Sequence, residues 1–324
     1  MLSREERARY QRQLSLPEIG DAGQERLRAA RVLLVGLGGL GSPAALYLAA
    51  AGVGHLGLVD HDRVDVSNLH RQVLHDTPDV GRPKVESARE HLQQLNPLVQ
   101  LELHDCWLTR ENAMELVGAY DVIVDGADTF ATRYLVNDAC VLTGRPNVHA
   151  SVFRFDGQAS VFCTPEGPCY RCLYPSPPPA DLVPSCAVGG VLGVLPGLLG
   201  LVQATETLKL LLGIGEPLTG RLFMLDALSM HSQVVPVSRD PTCPACGTRT
   251  LTALADYDAF CGAPSLHAAH EDEAHEIAEL APAELQRWLR EGRALQLVDV
   301  REPFETAQGM IPGAQALPLA TVHD

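Results

Sequence analysis

The sequence predicts an α/β fold, a largely parallel sheet with flanking helices, followed by the start of a second, smaller α/β unit. Three observations carry that expectation. Residues 32–35 are a short apolar run that breaks into Gly36, Gly38, Gly39 and Gly41 and continues into the helix-favouring stretch 44–51, a strand, a tight turn and a helix. Residues 121–125, DVIVD, read as a strand buried on both faces, which favours a parallel sheet. Two C-x₂-C pairs, Cys169/Cys172 and Cys243/Cys246, supply four thiolates, the donor set of a closed tetrahedral Zn²⁺ site with a structural role.

Taken in order, residues 4–30 read as polar and helical, and Arg12 among them as a solvated surface charge. The glycines after residue 35 let the backbone approach a phosphate, and the unpaired amides at the helix start point at it. The next apolar run, 54–59, ends in Asp60, placed to accept hydrogen bonds from ribose hydroxyls. Together these make a Rossmann-like nucleotide site. A glycine fingerprint with a following acid is most often a dinucleotide site, for NAD or FAD. Residues 62–84 then carry Asn68, Arg71, Arg82 and Lys84, cations that suit a triphosphate better than a bridged pyrophosphate.

Residues 84–95 have the spacing of an amphipathic helix, with Val85, Ala88 and Leu92 on one face. Residues 99–103 read as a strand and 110–117 as a helix. The strand 121–125 delivers Asp125 and Asp128 to the carboxyl end of the sheet, where ligands of open α/β folds collect. Asp128 can hold Mg²⁺ against phosphates, or it can cap the helix expected over 133–142. Strands follow at 146–151 and 158–162. The proline-rich run 164–184 is expected to be an extended loop holding the first cysteine pair; the second pair follows the strand-like 221–226. Redox dithiols or disulfides are the other readings of these pairs, and a cytosolic setting disfavours structural disulfides.

Residues 182–205 contain no Asp, Glu, Lys or Arg, so a membrane span has to be weighed. Glycines at 189, 190, 193, 197 and 200 and Pro196 interrupt it, and Glu206 and Lys209 continue it, so we expect a buried core or subunit-interface helix and no membrane contact. Cys186 lies at its glycine-rich start, where a helix N-terminus can lower a thiol's pKa. The balance of 25 basic and 40 acidic residues gives a net charge of −15, which argues against nucleic acid and requires a local basic cluster for any anionic substrate. The charged N-terminal stretch lacks an apolar signal core, and a cytoplasmic location is expected.

The stretches RYQRQL, GLGGLGSPAALYLAAAGVG, DHDRVDVSNLHRQ, GRPKVESA, the paired cysteine knuckles and SCAVGGVLGVLPG, in this order, resemble the MoeB/ThiF family, bacterial relatives of ubiquitin-activating enzymes, over about residues 4–250. The resemblance implies adenylation of the C-terminal glycine of a small ubiquitin-fold sulfur carrier of the MoaD/ThiS kind, ending in Gly-Gly. It implies that the loop around Gly39 approaches the ATP phosphates and that Asp60 holds the ribose. Asn68, Arg71 and Lys84 would bind the phosphate chain within a nucleotide-binding block that includes Ser67, Leu69 and His70. Asp128 would handle Mg²⁺ beside Thr129, and Arg12 would reach the partner subunit's site in a homodimer. Cys186 matches the family cysteine that in some members links covalently to the carrier. The sequence departs from the family at Thr129, where Asn is usual, and at Val188, where Glu is usual. A dinucleotide-dependent oxidoreductase and a non-catalytic adaptor for a ubiquitin-fold protein are the competing expectations.

The domain organisation expected is an adenylyltransferase domain over 1–250, a linker over 251–278 with His267, His270 and His275, and an incomplete second domain over 279–324. VDVREP and GMIPGA in the last part resemble the opening of a rhodanese domain, with Met310 where His is frequent. About 45 residues of it are present, few for an independent core, and no cysteine follows Cys261, so no rhodanese activity is expected of this chain.

Overall fold

The computed structural model describes residues 1–178, 190–261, 280–293, 295–301, 306 and 309–317; Cys186, Val188 and the three linker histidines lie outside them. The chain divides into two compact units, Met1–Leu266 and His267–Asp324.

The sheet of the first unit is built outward from β1 (Arg31–Val35), whose residues Val32 to Val35 are buried on both faces. Val32 and Leu34 pack into one core and Leu33 and Val35 into another, which is why the strand reads as a continuous apolar run. β1 pairs in parallel with β2 (His55–Val59) and β4 (Val122–Asp125); β3 (Gln100–His104) joins beyond β2 and β5 (Asn147–Phe153) beyond β4. β6 (Asp156–Phe162), β7 (Arg221–Asp226) and β8 (His231–Pro236) extend the same sheet antiparallel, in the order β3-β2-β1-β4-β5-β6-β7-β8. The largely parallel α/β sheet is as expected. β8 is not foreseen, because its exposed residues show no alternation of apolar and polar.

Three helices, α1 (Arg4–Arg9), α2 (Gln11–Leu14) and α3 (Gly20–Ala29), form the polar N-terminal stretch. α4 (Gly41–Ala51) and α5 (Lys84–Leu95) cover one face of the sheet, with Val85, Ala88 and Leu92 buried as their spacing requires. α6 (Ala113–Gly118) and α7 (Phe130–Thr143) cover the other. α8 (Tyr170–Leu173) is a helical turn inside the run expected to be an extended loop: the C-x₂-C spacing winds once, with the Cys172 amide donating to the Cys169 carbonyl at 3.0 Å.

The apolar segment becomes α9 (Val194–Leu212). By length and composition it could cross a membrane, but its buried face carries Gln203, Glu206 and Thr207. Gln203 Nε2 donates to the carbonyls of Asp125 (2.7 Å) and Val148 (2.9 Å), and Glu206 accepts from the Leu218 amide at 2.7 Å. Apart from Gln203 Oε1, which has no partner among the described residues, those side chains bond inside the protein, as in a core helix. The second unit contains a helix, Pro282–Arg290, and a parallel pair of two-residue strands, Val298–Asp299 and Gln315–Ala316.

Candidate functional site

From β1 the chain goes to β2 and β3 on one side, then crosses to β4 on the other, so a crevice opens between the carboxyl ends of β1 and β4. Two turns meet there. Gly36 has φ +89°, a left-handed conformation, and its amide donates to the Val59 carbonyl at 2.8 Å; the Gly126 amide donates to the Val35 carbonyl at 2.9 Å. A cavity of about 340 Å³ fills the crevice, and Gly36, Gly38, Gly39, Asp60, Asn68, Arg71, Lys84, Asp128 and Thr129 line it.

The other expected residues stand elsewhere. Gly41 begins α4, where a Cβ would collide with the Gly36 carbonyl, so its part is to let the turn close. Ser67, Leu69 and His70 do not line the cavity. The Ser67 carbonyl accepts from Arg71 Nη1 at 3.0 Å and lies 2.9 Å from His70 Nδ1, which makes this block the frame that aims Arg71. Arg82, read from sequence as one of the phosphate cations, is a correction: it pairs with Asp79 (2.7 Å) and Glu90 (2.6 Å) and does not line the cavity. Arg12 is exposed on α2 and contributes nothing to this chain's own cavity.

Asp60 clamps the glycine turn. Its Oδ2 accepts from the Leu37 amide at 2.7 Å and its Oδ1 from the Asp62 amide at 2.8 Å, and a carboxylate has further acceptor positions for a ligand. Lys84, buried as the first residue of α5, donates from Nζ to Asp62 Oδ2 at 2.8 Å, while Asp62 Oδ1 lies 2.9 Å from His61 Nε2. The His61 bond and the lysine together hold the Asp62 carboxyl far below the usual carboxylate range. Asp128 is exposed and, among the described residues, accepts no hydrogen bond; the cap of α7 is its neighbour Thr129, whose Oγ1 accepts from the Thr132 amide at 3.2 Å. That leaves the Asp128 carboxylate at the cavity wall for another use.

Sequence reasoning does not single out Arg133, Trp107, His61 or Asp62, all of which line the cavity. Arg133 Nε donates to the Ala127 carbonyl at 3.2 Å, and its guanidinium lies 5.2 Å from the centre of the Phe130 ring. It is a third cation beside Arg71 and Lys84. The available signal was its place in the first turns of a helix that follows a strand-end acid. Trp107 stacks on His61 at the rim.

The four cysteines come together on the α7 side of the sheet. Cys169 Sγ lies 4.0 Å from Cys172 Sγ and 3.6 Å from Cys243 Sγ, and Cys172 Sγ lies 3.3 Å from Cys246 Sγ. Tetrahedral coordination at Zn–S of about 2.3 Å sets sulfurs about 3.8 Å apart, so this cluster could hold Zn²⁺. Burial pushes the Cys246 thiol up to about 11 and Cys169 higher still, whereas at Cys243 burial is outweighed by hydrogen bonds from the Cys246 and Ala245 amides and neighbouring thiols, which lower it. Next to the cluster, Arg171 makes a two-pronged ion pair with the buried Asp138, both bonds 2.8 Å, and Tyr257 donates to the same carboxylate at 2.7 Å. Cys140 and Cys163 are buried, with thiols pushed up by burial, and Cys106 lines the cavity.

The sequence profile of the ThiF family matches residues 10–245. A protein of Mycobacterium tuberculosis named probable adenylyltransferase/sulfurtransferase MoeZ is 50% identical over 326 residues, covering 99% of this chain and 81% of the relative. A sulfur carrier protein adenylyltransferase of Thermus thermophilus is 54% identical over 266 residues, 80% of this chain and 98% of that one. The mouse adenylyltransferase and sulfurtransferase MOCS3 is 47% identical, over 99% of this chain and 71% of its own length. Among solved structures, Escherichia coli MccB with a MccA peptide superimposes with a TM-score of 0.66 at 20% identity, covering 75% of each chain, a likeness of fold.

Proposed function

The chain belongs to the ThiF family, and from that premise we propose that it adenylates the C-terminal glycine carboxylate of a small ubiquitin-fold sulfur carrier ending in Gly-Gly, using ATP with Mg²⁺. The observation that carries the reading is the crevice between β1 and β4, where Arg71, Lys84 and Arg133 line one cavity together with a glycine turn and the Asp128 carboxylate. A carboxylate oxygen attacks the α-phosphorus while the bond to the bridging oxygen breaks and pyrophosphate leaves. Both reactants are anions, so neutralising and aligning them supplies most of the rate.

In this reading Asp60 holds the ribose, the turn around Gly39 and the side chains of Asn68, Arg71 and Lys84 bind the phosphate chain, and Asp128 holds Mg²⁺. Arg12, exposed and not lining its own cavity, completes the site of the partner in a homodimer. Cys169, Cys172, Cys243 and Cys246 hold a structural Zn²⁺, which would tie the two cysteine loops together. The transfer of AMP itself calls on no thiol. An NAD- or FAD-dependent oxidoreductase is disfavoured because the sheet beyond β5 continues antiparallel rather than as a second parallel mononucleotide half.

ATP–pyrophosphate exchange by the purified chain tests the reading. Exchange that depends on a carrier with an intact Gly-Gly terminus is the expected result. Tight carrier binding without exchange would indicate an adaptor, and reduction of a dinucleotide would indicate an oxidoreductase.

A further inference from the structure

Lys84 is held at both ends by one residue. Its amide donates to the Asp62 carbonyl at 2.9 Å and its ammonium to Asp62 Oδ2 at 2.8 Å. The two side chains are unequal in their surroundings: that of Lys84 is 4% exposed and that of Asp62 50% exposed. A buried ammonium without a counter-charge is costly, whereas a half-exposed carboxylate can swing into water at little cost. Both line the cavity that receives the phosphate chain in the reading above, and phosphate oxygens approaching Lys84 meet a carboxylate of their own sign. Asp62 Oδ1 already lies 2.9 Å from His61 Nε2, so the displaced carboxylate has a second partner to turn to, on a ring fixed by its stack on Trp107.

We propose that Asp62 is a positioning residue, the resident counter-ion of Lys84, which the nucleotide's phosphates displace on binding and which reclaims the lysine as pyrophosphate departs. This rests on the nucleotide reading. It gives the site a built-in competitor, keeping Lys84 pre-aligned in the empty protein while weakening its hold on the leaving group.

Calorimetric titration of the full chain with MgATP, inorganic pyrophosphate and adenosine tests it. Asp62→Asn should bind MgATP and pyrophosphate about tenfold more tightly, the equivalent of about 1.4 kcal/mol, and adenosine unchanged. In steady state its KM for ATP and its kcat should both fall several-fold, because pyrophosphate leaves more slowly. Asp62→Glu, which keeps the charge, should return both towards wild type. His61→Ala, which leaves Asp62 wholly to Lys84, should weaken pyrophosphate binding several-fold and provides a readout if Asp62→Asn does not fold. Unchanged or weaker phosphate affinity in a folded Asp62→Asn overturns the proposal, as does unchanged pyrophosphate affinity in His61→Ala. A merely structural Asp62 would lower Tm without separating phosphate ligands from adenosine. Absence of MgATP binding by the wild type would instead overturn the nucleotide reading beneath it.

Discussion

The nucleotide crevice and the cysteine cluster lie in one unit and are held in opposite ways. The crevice is made by backbone: two glycine-containing turns, amides clamped by Asp60, and charged side chains left partly without protein partners, as at Asp128. The cluster is made by side chains: four thiols packed together beside a buried Asp138 whose acceptor positions are taken by Arg171 and Tyr257. A site for a ligand that comes and goes keeps some bonding capacity open. A site for a ligand that stays closes it.

Damage to the two should therefore read out differently. The largest effect is expected at the cluster: with zinc held there as proposed, Cys169→Ser should abolish zinc binding and unfold the surrounding loops, since structural zinc sites are worth ~10 kcal/mol or more against a total stability of ~5–15 kcal/mol. Metal analysis and thermal denaturation check it, and a zinc-free variant with wild-type Tm would show that the cluster does not hold the fold. Next, Arg71→Ala should slow pyrophosphate exchange by about 10²–10³-fold, the cost of losing one positioned charge donor, with Tm changed little. Full exchange in that variant would remove Arg71 from the phosphate site. The smallest effect is expected at Thr129→Ala, which takes the cap from α7: ~1 kcal/mol of stability and about 2–4 °C in Tm, with exchange retained. A large loss of exchange there would give Thr129 a ligand contact as well as a cap.

The parts of this protein that could be read from its sequence are those fixed by local pattern. The turn after β1 needs glycine at Gly36 for its positive φ and at Gly41 for its close approach, so the sequence displays it directly. The paired cysteines announce their cluster by spacing alone. Arg82 and Lys84 could not be told apart, because their fates are decided by one turn of geometry: Lys84 opens α5 and lines the cavity, while Arg82 precedes it and pairs with Asp79 and Glu90, neither of which lines it. Arg133 and Trp107 reach the cavity only because the sheet order brings the ends of β3 and β4 beside β1 and β2, and that order is a long-range fact. Asp128 and Thr129 show the same limit at shorter range, since which of two adjacent residues caps a helix depends on one dihedral change at its start.

The clamp made by Asp60 carries an evolutionary consequence. Because its two oxygens fasten the amides of Leu37 and Asp62, the acid is required for the glycine turn to keep its shape before any ligand arrives. A lineage that exchanged one nucleotide for another on this scaffold would be obliged to retain it.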